Sequence, residues 1–104
     1  MKQYKIEYSQ QARTDLIKVF DRIFYTYHAP RTAEKYLVGL LKEIERLQFY
    51  PLSFAVITIP RSVLQHGEFV RRINYKSETI LYTVFNDMVW IHRIAPAATL
   101  SGYK

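Results

Sequence analysis

The segment 69–94 constrains the fold most, because it reads as three short strands joined by two tight turns. The turns are Tyr-Lys-Ser-Glu at 75–78 and Phe-Asn-Asp-Met at 85–88, each with two central residues. Asn86 and Asp87 tolerate the positive φ angles that a two-residue hairpin turn requires. The segment is therefore predicted to form an antiparallel meander of three strands that carry arginines.

Turns with two central residues also determine the register of the meander. The predicted pairs are Ile73–Ile80, Arg72–Leu81 and Arg71–Tyr82 in the first hairpin, and Leu81–His92, Tyr82–Ile91 and Val84–Val89 in the second. A slip of one residue in either turn would move every side chain of a strand to the opposite face.

Side chains alternate between the two faces of a sheet, so this register divides the meander into two sets. The more apolar set is assigned to the helices and is called the helix face: Phe69, Arg71, Ile73, Ile80, Tyr82, Val84, Val89, Ile91 and Arg93. The other set is called the second face: Val70, Arg72, Asn74, Thr79, Leu81, Thr83, Phe85, Met88, Trp90, His92 and Ile94. Its mixture of polar and apolar groups is typical of a surface kept partly open for a partner.

The residues before the meander predict a strand and a helical hairpin. Residues 4–8 alternate between apolar and charged side chains, as a half-buried strand does. Ser9 is a good N-cap for the helix that follows, and this helix ends at 28–30 because the residue before a proline resists the helical region. A second helix is predicted over about 32–49, and the short link makes the two helices antiparallel.

Three other positions carry weaker signals. Gly39 lies in the middle of the second helix, where glycine costs about 1 kcal/mol relative to alanine, and we expect it to permit close approach of the first helix. Segment 54–59 is apolar and β-branched, but Pro60 interrupts it, so either a loop or an edge strand is expected. Residues 95–104 lack periodicity and form a tail that either packs along the sheet or is flexible.

Length and composition predict one α+β domain over residues 1–104, in which 49% of the residues are hydrophobic. Its small antiparallel sheet combines the N-terminal strand with the meander, and the helical hairpin packs on one face. Cysteine is absent and no apolar window approaches the length of a membrane span, so a cytoplasmic location without membrane contact is expected. The net charge of +6 favours an acidic partner such as nucleic acid, the ribosome or an acidic protein, although it also serves solubility.

The second face offers the candidate catalytic residues. In the predicted register Arg72, Leu81 and His92 form one row across three strands, which places Arg72 and His92 about 10 Å apart. A guanidinium stabilises charge on a phosphoryl group and an imidazole moves protons near neutral pH, so this pair suits RNA cleavage by the 2′-hydroxyl. In the alternative, Arg72 pairs with a carboxylate and His92 packs beside Trp90. The hydroxyl of Tyr103 either reaches this face from the tail or only packs.

The remaining candidates are residues for binding nucleic acid or a protein partner: Arg71, Asn74, Lys76, Trp90 and Arg93. Arg71 and Arg93 fall on the helix face, where they are expected to extend past the sheet edge or to bond to carbonyls and Glu side chains of the helices. The alternative, in which Arg71 takes the catalytic role and Arg72 the structural one, stays open. No phosphate-binding loop and no metal-ligand spacing occur in the sequence, and we expect neither a metal nor another cofactor.

Taken together, these elements resemble the RelE/ParE superfamily of bacterial toxin–antitoxin toxins, which includes plasmid-stabilisation proteins. The resemblance covers residues 4 to about 94. It rests on the order of the elements and on these motifs: Tyr8–Ser9, Ala12, Asp15–Leu16, Leu47, Pro51, Val70–Arg71–Arg72–Ile73, Thr79–Ile80–Leu81–Tyr82 and Val89–Trp90–Ile91–His92–Arg93–Ile94. It implies a growth-inhibiting toxin, neutralised by a cognate antitoxin, that forms either a homodimer or a toxin–antitoxin hetero-oligomer.

The resemblance implies two mechanisms, both of which stay open. RelE-like members enter the ribosome and cut mRNA with basic residues of the sheet and often a Tyr or His near the C-terminus, whereas ParE-like members inhibit DNA gyrase without a nuclease site. Arg72, or else Arg71, matches the arginine of the family's second strand. Residues 95–100 lack the basic continuation of the nucleases. The hypotheses are therefore a ribosome-dependent endoribonuclease, a non-enzymatic gyrase inhibitor, and an inactive member that acts only as a binding module.

Overall fold

The helices and strands form two layers, a five-stranded sheet and a helical hairpin. The computed structural model describes residues 2–57 and 69–99. Its elements are β1 (Lys5–Tyr8), α1 (Gln10–Tyr27), α2 (Pro30–Glu45), a short 3-10 helix (Arg46–Gln48), β2 (Val56–Ile57), β3 (Val70–Tyr75), β4 (Glu78–Phe85) and β5 (Met88–Pro96). The strand order is β1-β5-β4-β3-β2. The predicted α+β fold is confirmed, but the sheet is mixed rather than wholly antiparallel, because β1 runs parallel to β5.

The boundaries of the helices follow from local chemistry. The Ser9 side chain accepts a hydrogen bond from the Ala12 N–H at 3.0 Å, which confirms the predicted N-cap of α1. His28 ends α1 in the left-handed conformation, with φ at 51°. Proline is tolerated in the first turn of a helix, so α2 begins at Pro30, two residues before the predicted start. It passes into the 3-10 helix after Glu45.

The core lies between the helical hairpin and the helix face. Helix side chains that contribute to it include Ala12, Val19, Ile23, Ala33, Leu40 and Ile44, and strand side chains include Ile73, Ile80, Tyr82, Val89, Ile91 and Ile94. Tyr4, Ile6 and Tyr8 of the N-terminal strand pack against the same cluster. The prediction that the more apolar face of the meander faces the helices is therefore confirmed for its central residues, whereas Phe69 is exposed.

Gly39 contacts β3 rather than α1, so the expectation for this glycine was wrong. A Cβ atom at position 39 would overlap the hydroxyl group of Tyr75. The Tyr75 ring also packs edge-on against Tyr36, with 5.4 Å between ring centroids. The glycine therefore makes room for an aromatic side chain that joins the sheet to α2.

The register of the first hairpin is as predicted. Arg71, Arg72 and Ile73 lie opposite Tyr82, Leu81 and Ile80. The expected positive φ angles occur at Asn86 (50°) and Asp87 (63°), and the first turn has one at Lys76 (51°). Strand β2 is a two-residue edge strand paired with β3, which agrees with the edge-strand alternative for this segment. Strand β5 continues to Pro96, so the first two residues of the predicted tail belong to the sheet.

The register of the second hairpin changes at a β-bulge. Tyr82 lies opposite Ile91 as predicted, but Leu81 lies opposite Arg93, so the predicted Leu81–His92 pair is wrong. His92 is the extra residue of β5, and a bulge of this kind shifts the alternation of all later side chains. Ile94 consequently lies opposite Ile80 and joins the main core, although it was assigned to the second face.

Candidate functional site

Two predicted residues of the second face lie exposed on β3. Arg72 and Asn74 both have exposed side chains. Within residues 2–57 and 69–99 the Arg72 guanidinium forms no hydrogen bond or ion pair, whereas Asn74 Oδ1 accepts a hydrogen bond from Thr79 Oγ1 at 3.0 Å. Arg72 is therefore available to an anionic group of a ligand or partner.

His92 lies on β5 at the bulge and is only 8% exposed. Its Nε2 atom is 2.8 Å from Oγ1 of the buried Thr83. The predicted row of Arg72, Leu81 and His92 is wrong in its third member, because Arg93 occupies that position. The structure thus places His92 within the sheet beside a threonine rather than in line with Arg72.

The second face also includes a half-buried aromatic residue and a small apolar cluster. Trp90 lies opposite Thr83 on one side and opposite Glu7 of β1 on the other. Three other residues, Val70, Leu81 and Ala95, form a buried cluster with Ile57 packed against it. Exposed polar groups on this face are therefore concentrated on β3.

Arg71 has a structural role near the opposite edge of the sheet. Its Nη1 atom donates to the carbonyl oxygen of Phe54 at 2.6 Å and, more weakly, to that of Leu52 at 3.4 Å. These carbonyls belong to the loop that precedes β2. The expectation that Arg71 bonds to carbonyls is confirmed, although they are not carbonyls of the helices.

Arg93 is held by α1. Its Nε atom forms an ion pair with Asp15 Oδ2 at 3.0 Å, and its Nη2 atom donates to Oδ1 at 3.3 Å. Asp15 Oδ2 also accepts the main-chain N–H of Ile94 at 2.9 Å, and the Ser9 hydroxyl donates to the His92 carbonyl at 2.9 Å. These contacts satisfy main-chain groups of β5 where the pairing with β1 has ended. Arg93 thus bonds to an acidic side chain of a helix as expected, but the acid is Asp15 rather than a glutamate.

A second buried carboxylate joins the turn after β3 to both helices. The Glu78 side chain is fully buried and forms an ion pair with Arg22 of α1 at 2.6 Å. It also accepts hydrogen bonds from the hydroxyl groups of Tyr36 on α2 and Ser77 in the turn. Because the cluster connects three elements, we expect it to stabilise the position of the hairpin against the helices.

Lys76 lies in this turn, as predicted from the sequence. Its Nζ atom lies 5.5 Å from the ring centroids of both Tyr36 and Tyr75. A cation at this distance is attracted by the faces of aromatic rings.

The predicted binding residues separate into two groups. Arg72, Asn74, Trp90 and His92 share the second face, whereas Arg71, Arg93 and Lys76 have structural partners elsewhere, and Tyr103 lies outside the described residues.

Burial changes the titration of several tyrosines. Burial, together with the charge of Glu45, raises the pKa of Tyr8 to about 12. Burial also raises the pKa of Tyr82, whose hydroxyl donates to the Pro51 carbonyl at 2.7 Å. The pKa of Tyr36 is raised by burial and by its bond to Glu78. These hydroxyl groups are neutral donors near neutral pH and are unsuited to act as bases there.

The sequence interpretation missed the two buried acids. Asp15 was noted only as part of a motif, yet it lies within the apolar stripe of α1, between Ala12 and Val19. An acidic residue in such a stripe is a signal for a buried, paired carboxylate. Glu78 carries no comparable signal, because a glutamate next to a tight turn is ordinarily exposed.

Metal-binding clusters and membrane-spanning helices were sought among the described residues. No group of three or more His, Asp or Glu side chains within 2–57 and 69–99 could hold a metal ion. In the same part of the chain, no helix combines the length and the apolar character needed to cross a membrane.

Comparison with solved structures identifies the fold. A chain of the chromosomal ParDE TA system from P. aeruginosa superposes with a TM-score of 0.69 at 17% identity, over 90% of this chain and 96% of the other. A chain of the toxin–antitoxin complex RelBE2 from Mycobacterium tuberculosis gives 0.60 at 21% identity, over 92% and 93%. The chain has the RelE/ParE fold. No protein-family model and no curated protein matches the sequence.

The features described above occupy defined positions on this fold. The helical hairpin covers the helix face, and the exposed Arg72 lies on the opposite face of the sheet. The two buried carboxylates, Asp15 and Glu78, hold the end of β5 and the neighbouring start of β4 against the helices. The fold that the resemblance implied is thus confirmed.

Proposed function

We propose that the chain is the toxin of a type II toxin–antitoxin pair, which inhibits growth until its antitoxin binds. One observation carries this proposal: the RelE/ParE fold extends over 90% of the chain when it is compared with the ParDE system, and over 92% with RelBE2. An architecture found in two toxin–antitoxin complexes therefore accounts for nearly the whole chain. The net charge of +6 supports an antitoxin with an acidic segment as the partner, in the cytoplasm.

We favour a toxin that acts by binding its target, with DNA gyrase as the candidate, over one that cuts RNA. The support comes from His92, which is buried and hydrogen-bonded to Thr83. A general base must come within hydrogen-bond reach of the proton that it removes. On the described part of the second face, the only histidine is occupied in this way and is not aligned with Arg72.

Ribosome-dependent mRNA cleavage is the second candidate, and a different observation favours it. Arg72 is exposed on the second face and its guanidinium has no partner within the described residues. An unpaired arginine of this kind suits the stabilisation of a phosphate during cleavage. In that mechanism Tyr103, which lies outside the described residues, stays a predicted third group.

The experiment that tests the proposal follows macromolecular synthesis after the chain is induced in bacteria without an antitoxin. Incorporation of labelled thymidine into DNA and of labelled methionine into protein is measured from the same cultures. We expect growth arrest with thymidine incorporation falling first. An early and selective fall in methionine incorporation would support cleavage of mRNA instead, and unaltered growth would contradict the toxin assignment.

Substitution of His92, unlike that of Arg72, separates the two mechanisms further. Arg72→Ala is expected to weaken toxicity in either case, because an exposed arginine serves an anionic target as well as a phosphate. His92→Gln keeps a side chain that can bond to Thr83, so it should retain toxicity if the protein acts only by binding. Loss of toxicity in folded His92→Gln would support catalysis. Lys35→Ala, an exposed change on α2, is the matched control.

A further inference from the structure

The outer edge of β1 is open along part of its length and closed at one end. In the parallel pairing with β5 the Lys5 N–H donates to β5, so the main-chain groups of Ile6 and Tyr8 face away from that strand. The Tyr4 N–H also faces outward, but it is occupied, because it donates to the Gln48 carbonyl of the 3-10 helix at 2.8 Å. In the described part of the chain, no hydrogen bond is formed to the outward groups of Ile6 or to the Tyr8 N–H.

A groove of about 520 Å³ runs beside this open stretch. It is lined by Gln3, Tyr4, Lys5, Ile6, Tyr8, Glu45 and Gln48. A strand edge that presents free donors and acceptors is a template for pairing with another chain. Because the 3-10 helix occupies the edge at Tyr4, an added strand has room beside Ile6 and Tyr8 only. Such a strand extends freely past Tyr8 but must end next to Lys5.

The two ends of the groove differ in charge. Lys5 lies at the closed end, with a side chain that is 76% exposed. Its Nζ atom is 3.8 Å from Glu7 Oε1, which is too long for a hydrogen bond, so the ammonium retains its donors for a ligand. Glu7 lies further towards the open end, where Glu45 interacts electrostatically with Tyr8. The groove is therefore cationic where it is closed and anionic where it is open.

We propose that this groove binds the free C-terminus of an extended segment of another protein, which runs antiparallel to β1. In this direction the last residue of the ligand lies beside Lys5, and the residue before it pairs with Ile6. The outward groups of Ile6 and the Tyr8 N–H then gain main-chain partners, and the terminal carboxylate meets the Lys5 ammonium. The site is independent of the toxin assignment and of the second face.

The charges select both the direction and the sequence of the ligand. In the parallel direction the N-terminal ammonium of the ligand would lie beside Lys5, and the two cations would repel each other. In the antiparallel direction the third residue from the C-terminus lies opposite Glu7, so a basic side chain there is favoured and an acidic one is repelled. The second residue from the end faces the helix side together with Ile6, which packs against the core, and is therefore expected to be apolar.

Fluorescence anisotropy with two synthetic peptides tests the proposal. Both carry fluorescein at the N-terminus and have the sequence Gly-Ser-Ala-Thr-Arg-Val-Ser, but one ends in a free carboxylate and the other in an amide. The full chain, made by cell-free synthesis to avoid selection against a toxic product, is titrated into each peptide at low salt. Wild type is compared with Lys5→Glu and with the control Lys35→Glu, at an exposed position of α2, and circular dichroism verifies that each protein is folded.

We expect wild type and Lys35→Glu to bind the peptide with the free carboxylate about tenfold more tightly than the amide, as one charge-assisted hydrogen bond implies. Lys5→Glu should bind both peptides weakly and without this preference. In nitrogen-15 NMR spectra of wild type, the peptide should shift the amide signals of Ile6 and Tyr8.

Three results would overturn the proposal. The first is a wild type that binds neither peptide or binds both equally tightly. The second is a folded Lys5→Glu variant that retains the preference for the free carboxylate. The third is binding that leaves the amide signals of Ile6 and Tyr8 unchanged, which would place the peptide at another surface of the protein.

Discussion

The carboxylate of Asp15 on α1 accepts the main-chain N–H of Ile94 on β5 at 2.9 Å, at the point where the sheet has lost its neighbouring strand. Pairing between β1 and β5 ends with the bond from the Ser9 N–H to the Ile91 carbonyl. Beyond it, the edge of β5 is satisfied by side chains of the helix cap and the first two turns of α1. Because the same carboxylate holds Arg93, one acid supports both the strand edge and the arginine.

Replacement of Asp15 by alanine should therefore be strongly destabilising. It leaves a buried N–H and the partly buried Arg93 without their acceptor, and we expect the free energy of unfolding to fall by about 3 kcal/mol. Asp15→Asn, which retains an acceptor for Ile94, should cost less than Asp15→Ala. Urea unfolding measures both variants. Asp21→Ala, at an exposed position of the same helix, is the control, and equal losses at positions 15 and 21 would contradict this account.

Glu78 and Arg22 give a second prediction for stability. Arg22→Met leaves the fully buried Glu78 carboxylate without its cation, and we expect a loss of about 3 kcal/mol in the free energy of unfolding. Glu78→Gln in the same background removes the unpaired charge, so the double variant should be more stable than Arg22→Met alone. Arg13→Met, at an exposed position of α1, serves as the control. A double variant that is less stable than the single one would show that the buried charge is not the cause.

The stability of the fold should decline at alkaline pH in part through Tyr8. Its pKa rises from 10.0 to about 12 on folding, so the folded state favours the neutral hydroxyl. The contribution is fully present below pH 10 and is lost as the pH rises towards 12. Urea unfolding from pH 8 to 12 should show a shallower decline for Tyr8→Phe than for wild type. Tyr25→Phe, at a position that is 68% exposed, should follow wild type, and parallel curves for all three proteins would contradict the prediction.

Gly39 provides a test of the packing between α2 and β3. Alanine would improve helix propensity by about 1 kcal/mol, but its methyl group overlaps the Tyr75 hydroxyl. We expect Gly39→Ala to be destabilising by about 1 kcal/mol, since overpacking typically costs more than the propensity gained. In a Tyr75→Leu background the same change should become stabilising. A double-mutant cycle measured by thermal unfolding tests this, and an unchanged effect of Gly39→Ala in the two backgrounds would show that Tyr75 is not the obstacle.

The sequence predicted those parts of the fold that depend on local chemistry. The two-residue turns at Lys76–Ser77 and Asn86–Asp87 determined most of the strand register. Ser9 marked the start of α1, and Pro30 marked the boundary between the two helices. The bulge at His92 could not be predicted, because alternation along β5 reads the same with or without an extra residue. It depends on contacts from Ser9 and Asp15, which are distant in sequence.

The same reason explains why the candidate site was predicted only in part. The exposed position of Arg72 followed from a register set by one turn, and it was correct. The position of His92 depended on the bulge, so its burial beside Thr83 was not foreseen. Arg71 and Arg93 were correctly expected to have fixed partners. The predicted face of Arg93 was wrong, because the bulge places it opposite Leu81, in the row of Arg72 on the second face.

The assignment as a toxin is tested by the viable count after tightly controlled induction of the chain in bacteria. Wild type is compared with Arg72→Ala, the surface control Lys35→Ala and the destabilised Asp15→Ala, with the amount of soluble protein measured for each. We expect wild type and Lys35→Ala to stop growth and reduce the viable count. Asp15→Ala and Arg72→Ala should both be less toxic, and Arg72→Ala should be so at an equal level of folded protein. Undiminished growth with abundant, folded wild-type protein would contradict the assignment as a toxin.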